Sequence, residues 1–305
     1  MGQYILRRLF LSVFVVVGVT VVVFMVVRLS GDPTAIMISP DASAEEVREF
    51  RRRMGFDRPV LVQFWDFASG VIRGDFGESL RYREPAFGLV LQRLPATIQL
   101  TVASLLIAVA IALPAGVISA VKRNTIWDRL AMFGALFGQS MPVFWFGILL
   151  ILIVSVQFQL LPSSGSGEIR HLVLPAMTLG LYSTARITRL VRSEMLEMIS
   201  QDFVRTARAK GLREQAVMYR HALRNALIPV VTVIGIEAGG MLGGAVVTET
   251  VFAWPGIGQL AVRAIFNRDY PLIQAVVFTV AVLFVLINLI VDVLYAMLDP
   301  RIKLN

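Results

Sequence analysis

The sequence contains no cysteine and only two histidines, His171 and His221. Without thiols there is no disulfide, no thiolate nucleophile and no cysteine-ligated metal. The two imidazoles fall in different loops, expected on opposite sides of a membrane, and so cannot share an ion. Neither a His-Glu-x-x-His zinc motif nor a Gly-x-Ser-x-Gly elbow occurs, which removes the groups a membrane protease would use. A Gly-x4-Gly-Lys-Ser/Thr phosphate cradle is also missing. Charge is scarce as well: 16% of the 305 residues are charged, against roughly 25% in average soluble domains.

What is present is apolar, at 56% hydrophobic residues and a mean hydropathy of +0.72. The apolar residues gather in long uncharged runs rather than in the scattered periodicity of a soluble core. A bilayer core of about 30 Å needs about 20 such residues of helix, and six runs qualify as spans: residues 9–27, 96–121, 130–158, 172–185, 226–247 and 272–294. The fourth is short before Arg186, and residues 187–191 extend it if Arg186 and Arg189 face protein or snorkel. Pro95, Pro175 and Pro229 are expected to open spans, where a missing amide costs little. Pro114 and Pro142 fall inside spans and are expected to kink them. The first run is too long, and lacks a small-x-small cleavage site, for a signal peptide, so it reads as a permanent span.

Basic residues set the direction. With the N-terminus inside, inner segments hold Arg7 and Arg8, then Lys122, Arg123 and Arg129, then nine basic residues from Arg186 to Arg224, and finally Arg301 and Lys303. The short outer loops hold only Arg170, Arg263 and Arg268. The net charge of +8 therefore follows membrane topology and anionic lipid, not nucleic acid. The chain divides into residues 1–29, an N-terminal tail and first helix; 30–95, a small extracytoplasmic domain; and 96–305, a five-helix core. In the second part Ser43 and Glu46 have capping-box spacing ahead of a charged helix, and Gly70, Gly74 and Gly77 read as turns.

Between the fourth and fifth spans lies a loop at about residues 193–225, far longer than a helix connection requires. Its sequence suits a short helix with Ser200 as cap, Asp202 at the positive end of the dipole, Arg208 and Lys210 at the negative end, and Gly211 as the stop. Phe203, Ala207 and Leu212 would offer an apolar contact, flanked by basic residues. Such a helix suits docking to a cytoplasmic partner, and it equally suits lying on anionic lipid.

This loop resembles the cytoplasmic signature of ABC importer permeases, Glu-Ala-Ala-x3-Gly-x9-Ile-x-Leu-Pro. Ala207, Gly211 and Leu223 match at the family's spacing. Arg205, Thr206, His221 and Arg224 depart from it in the manner of the dipeptide/oligopeptide (peptide/nickel) branch, in which RTARAKGL followed by RHALRNALIP is familiar. YILRRL at the N-terminus, GDFGESL at residues 74–80 and TETVFAWPGIG at residues 248–258 agree with that branch. The resemblance implies an all-α integral membrane protein of about six transmembrane helices, type I ABC importer permease-like, with a small extracytoplasmic domain after the first helix. It implies contact with an ATPase through Phe203, Arg205, Thr206, Ala207, Arg208, Lys210, Gly211, Leu212, His221 and Leu223. It further implies a second homologous permease, two cytoplasmic ATPase subunits that hold the ATP and Mg, and an extracytoplasmic substrate-binding protein. This chain would bind no cofactor and hydrolyse nothing. Its location would be a bacterial or archaeal cytoplasmic membrane, with both termini cytoplasmic, and its substrates dipeptides or short oligopeptides.

Polar residues inside spans are costly and mark function or packing. Glu237, in the fifth span, either meets a substrate amine in a translocation path or packs as a hydrogen-bonded group. As a coupling carboxylate it would alternatively serve a stand-alone secondary transporter or channel. Gln139 and Ser140, beside Pro142, form a polar break in the third span. Glu249, beside the WPGIG loop, would shape an outer gate. Asp292, near the inner interface, reads as paired or hydrated. Gly239, Gly240, Gly243 and Gly244 allow close helix approach and would mark a subunit interface.

Overall fold

A computed structural model describes residues 2–29, 43–53, 55 and 57–298. The expected basic tail at Arg301 and Lys303, the side chain of Arg7 and the start of the extracytoplasmic segment at residues 30–42 lie outside the described residues. Among the described residues all regular structure is helical, apart from one bridge between Glu78 and Pro85.

The helices are α1 (Gly2–Leu29), α2 (Ala44–Arg53), α3 (Val60–Arg73), α4 (Ala86–Val121), α5 (Ile126–Ser140) and α6 (Val143–Leu150), which continues as a π-helical stretch, Ile151–Gln157. Then follow α7 (Ile169–Ile199), α8 (Asp202–Ala209), α9 (Leu223–Val251), α10 (Ile257–Phe266) and α11 (Tyr270–Leu298). A single turn, Glu214–Ala216, and a second π-helical stretch, Val217–Ala222, lead into α9. Among the described residues three helical segments are long and apolar enough to cross a membrane: Ala86–Val121, Glu214–Gly243 and Tyr270–Val293. The pair α5 and α6 makes a fourth if taken as one bent span. Helix α1 carries the apolar stretch Phe10–Met25, and α7 occupies the position of the fourth expected span.

Two expectations about proline are corrected. The third run is not a kinked helix but two segments meeting at 108°. The ring of Pro142 disfavours helical backbone at Met141, which is extended at φ −87° and ψ 129°. Nor do Pro95, Pro175 and Pro229 open helices: each lies inside one, as Pro114 does. Membrane helices tolerate interior proline because neighbours and hydroxyls satisfy freed backbone groups. Hydroxyls elsewhere in α4 and α7 turn back onto carbonyls that these prolines do not free, Ser104 to Leu100 at 2.7 Å and Thr178 to Leu174 at 2.8 Å.

The centre of the molecule is the α4–α7 crossing, where small residues let two backbones approach. A Cβ on Gly180 would lie 2.8 Å from the Ser104 carbonyl oxygen, and one on Gly116 2.8 Å from that of Thr188. Around this seam Ala108, Ala112, Ala176, Ile187 and Val191 are buried completely. An inner cluster gathers Ile187, Val191 and Met195 of α7 with Val204 and Ala207 of α8 and with Val217 and Met218.

Two of the three glycines expected as turns, Gly74 and Gly77, have left-handed backbone. Gly70 sits inside α3, which ends at Gly74 in left-handed conformation (φ 74°). The segment that follows packs on the membrane body: Phe76, Ala86 and Val90 share a cluster with Ile257, Leu260 and Ala264 of α10 and Leu272 of α11. Helix α4 starts at Ala86, so residues 86–95 run unbroken into the second span. Asp269 caps α11 from a fully buried position, accepting hydrogen bonds from the Ser79 hydroxyl and from the backbone N–H of Arg81 and Leu272. The Ser43–Glu46 capping box forms as expected, with the Ser43 amide 2.8 Å from the Glu46 carboxylate. That bond, then the Ser43 hydroxyl, lowers the Glu46 pKa from its ordinary value.

Candidate coupling surface and membrane path

Helix α8 forms within the expected loop, but its cap differs. Gln201 stands at the N-cap, while the Ser200 hydroxyl donates to the Glu197 carbonyl and closes α7 instead. Asp202 lies in the first turn and Arg208 in the last, matching the helix dipole. Gly211 turns the chain at φ 72°, a conformation that costs any other residue about 1–2 kcal/mol.

The faces of α8 sort cleanly. Val204 and Ala207 pack inward on Val217, Met218 and Met195, so Ala207 is not part of an outward apolar contact. Phe203 (39% exposed) and Leu212 (43%) do point outward, among exposed Arg205, Thr206, Arg208 and Lys210. Arg208 makes a forked pair with Glu214 at 2.7 and 3.2 Å, spanning the Gly211 turn. Both groups are well exposed, which limits that pair to roughly 0–1 kcal/mol. Half-buried Leu223 packs against the inner cluster, and half-buried His221 sits in the π-helical stretch before α9. Tyr219, in the same π-helical stretch, is 56% exposed and carries no signal in the sequence.

Immediately before α8, α7 is fastened to its neighbours by a buried carboxylate. Asp128 of α5 receives Arg192 Nε at 2.7 Å and Nη2 at 2.9 Å, the Ser119 hydroxyl at 2.5 Å and the Asn124 backbone N–H at 2.9 Å. This cluster joins α4, α5 and α7 at the end of α7 that leads into α8. Sequence reasoning missed it because Asp128 looks like an ordinary first-turn acid.

Glu237 is buried, with 7% exposure, and faces α7 rather than standing free. Arg186 Nη1 donates to it at 2.7 Å and the Ser183 hydroxyl donates to its other oxygen. Gly240 and Gly243 have nothing within 4 Å of where a Cβ would stand, whereas Gly239 meets Phe284. Gly244 lies outside the residues whose surroundings are described. Gln139, half-buried, ends α5 at the break before Pro142 and does not adjoin the Glu237 group in any hydrogen bond. Asp292 is ion-paired with Arg8 of α1 at 3.1 Å.

Glu249 is completely buried. It receives the Thr97 hydroxyl at 2.6 Å and the Gln259 backbone N–H at 2.9 Å, so it holds the N-terminus of α10 to α4 and to the C-terminal end of α9. The glycines of WPGIG permit this: a Cβ on Gly256 would lie 2.1 Å from the Glu249 carboxylate, and one on Gly258 2.6 Å from the Val246 backbone. Its carboxylate therefore does not open onto a path within this chain.

The family described as "Binding-protein-dependent transport system inner membrane component" matches residues 112–304, and the corresponding N-terminal family matches residues 1–101. The dipeptide transport system permease protein DppB of Escherichia coli K12 is 41% identical over an alignment of 340 positions, covering 99% of both chains. The glutathione transport system permease protein GsiC of the same strain is 42% identical over 304 positions, again covering 99% of each. Among solved structures, the inward-facing MetNI methionine ABC transporter is similar with a TM-score of 0.60 at 21% identity, covering 69% of this chain and 96% of that one. That likeness supports the fold alone, a helical type I importer arrangement. The chain belongs to the family of binding-protein-dependent transport system inner membrane components, and is a transport component rather than an enzyme.

Proposed function

We propose that this chain forms the membrane path of an ATP-driven importer for dipeptides or short oligopeptides, and that α8 couples it to cytoplasmic ATPase subunits. The observation that carries this is the outward face of α8. Its apolar residues Val204 and Ala207 are used by the chain's own core, so α8 is fixed to α7 and the entrance to α9 as one body. What remains outside is a mixed surface of Phe203 and Leu212 among Arg205, Arg208 and Lys210. A helix lying in lipid needs a continuous apolar face; this one suits a protein groove that takes an aromatic and offers acids. Two ATPases holding ATP and Mg would push on α8, and the inner cluster would carry the force into α7 and α9.

The partners of this reading are a second homologous permease, two ATPase subunits and an extracytoplasmic binding protein, with both termini of this chain on the ATPase side of the cytoplasmic membrane. The printed functions of the relatives, dipeptide and glutathione transport, support a peptide substrate. The engaged state of Glu237 weighs against its use as a free coupling carboxylate in a stand-alone transporter.

The test is uptake by the complete complex in liposomes, with the binding protein supplied outside and ATP inside. Native complex is expected to accumulate dialanine only with ATP. Gly211→Leu strains the turn after α8, and is expected to cut uptake at least about tenfold while leaving the complex assembled, since about 1.4 kcal/mol at the docking turn corresponds to tenfold. Dialanine uptake without ATP would contradict the proposal, as would Gly211→Leu uptake at the native rate.

A further inference from the structure

We infer that Arg186 is the permease's own binding site for the carboxylate of the passing substrate, held in place by Glu237. This rests on the peptide-importer reading above and deepens it by naming the group that touches the cargo. Arg186 lies within α7, one of the most deeply embedded helices, yet its side chain is 45% exposed. A guanidinium on a spanning helix does not face hydrocarbon when it can face water or protein. Only its Nη1 is used by Glu237, which leaves the rest of the planar fork for a second carboxylate. That geometry is what bidentate carboxylate recognition requires.

The surroundings leave room for such a ligand. Tyr182, one turn before Arg186, is 42% exposed on the same face of α7. Across from it, Glu237 is flanked on α9 by exposed Ile236 and by Gly240, with Gly243 one turn further. A Cβ at either glycine would meet nothing within 4 Å. The exposed guanidinium and this strip of bare backbone thus flank the same buried carboxylate. Glu237 and Ser183 act as positioning groups: they fix the guanidinium and neutralise part of its charge, so that a passing carboxylate is attracted without being held permanently. The assignment reverses the expectation that Glu237 meets the substrate amine.

The test uses the whole importer in liposomes, with the binding protein saturated by dialanine or by dialanine amide. Native chain is compared with Arg186→Gln, Arg186→Lys and the double variant Arg186→Gln/Glu237→Gln, which leaves no orphaned charge if the single variant fails to assemble. The glutamine variants are expected to take up dialanine about 10- to 100-fold more slowly, the scale of losing a charge-assisted hydrogen bond. Arg186→Lys is expected to restore part of the rate, and the amide to be taken up slowly by native and variant chains alike. Equal losses for both peptides, undiminished dialanine uptake, or failure of the double variant to assemble would overturn the assignment, the last by making Arg186 a packing residue. Native complex that takes up no dialanine at all would instead refute the peptide-importer reading.

Discussion

Gly180→Val is expected to prevent accumulation of folded chain in the membrane. At this position a Cβ would stand 2.8 Å from the Ser104 carbonyl oxygen and 3.5 Å from its carbon. Backbone in the middle of a helix cannot turn aside as a flexible side chain can, so α4 and α7 must separate. Ser104 and Ala108 on one side and Ala176 and Thr178 on the other are wholly buried, and their close contact would be lost along several turns. Even Gly180→Ala should cost about 1–3 kcal/mol, the usual scale of overpacking, and the valine considerably more. Gly134→Val is the control, because nothing lies within 4 Å of a Cβ there. Membrane accumulation and thermal unfolding in mild detergent read the effect; native-like melting of Gly180→Val would mean that the crossing is looser than described.

Arg192→Ala is expected to destabilise the chain by about 3 kcal/mol, the lower end of what breaking a buried ion pair costs. The lower end applies because Asp128 would keep the Ser119 hydroxyl and the Asn124 N–H, and because Arg192 is 25% exposed. The cost arises from the carboxylate left buried rather than from the attraction lost. Removing both charges, as in Asp128→Leu/Arg192→Leu, should therefore recover more than half of the loss. A double-mutant cycle on unfolding midpoints separates these terms. Equal destabilisation by single and double variants would show that Asp128 carries no unpaired-charge penalty. Because this cluster ties α4 and α5 to the part of α7 that leads into α8, the single variant should also weaken coupling.

Much of the architecture was legible because hydropathy is a local property. The run at 272–294 is α11 with little change, and the run at 96–121 is the later part of α4, which begins at Ala86. The run that becomes α7 is short because Arg186 interrupts it, and the partners of Arg186 and Arg192 are 51 and 64 residues away in sequence. No local pattern announces that a charge will be met by a distant helix. The third run looked continuous because Gln139, Ser140 and Pro142 are uncharged, and only backbone restriction at Met141 divides it. Helix α10 could have been read: Ile257, Leu260, Ala261 and Ala264 recur at helical spacing after a glycine, but the WPGIG motif drew attention to the loop. Helix α8 lies where its dipole charges and glycine stop place it. Its inward face was not legible, because Ala207 counts as apolar whether it meets a partner or the chain's own core.

The most direct test of the central claim uses the absence of cysteine. A single Phe203→Cys or Leu212→Cys places the only thiol of this chain on the outward face of α8, and Val204→Cys places it on the inward face. Gently purified complex is treated with a short bifunctional thiol–amine reagent, with and without ATP. Cross-links from positions 203 and 212 to ATPase subunits, changed by ATP and absent from position 204, are the expected result. Cross-links confined to lipid or to this chain, in a complex that still contains its ATPases, would contradict the coupling role of α8.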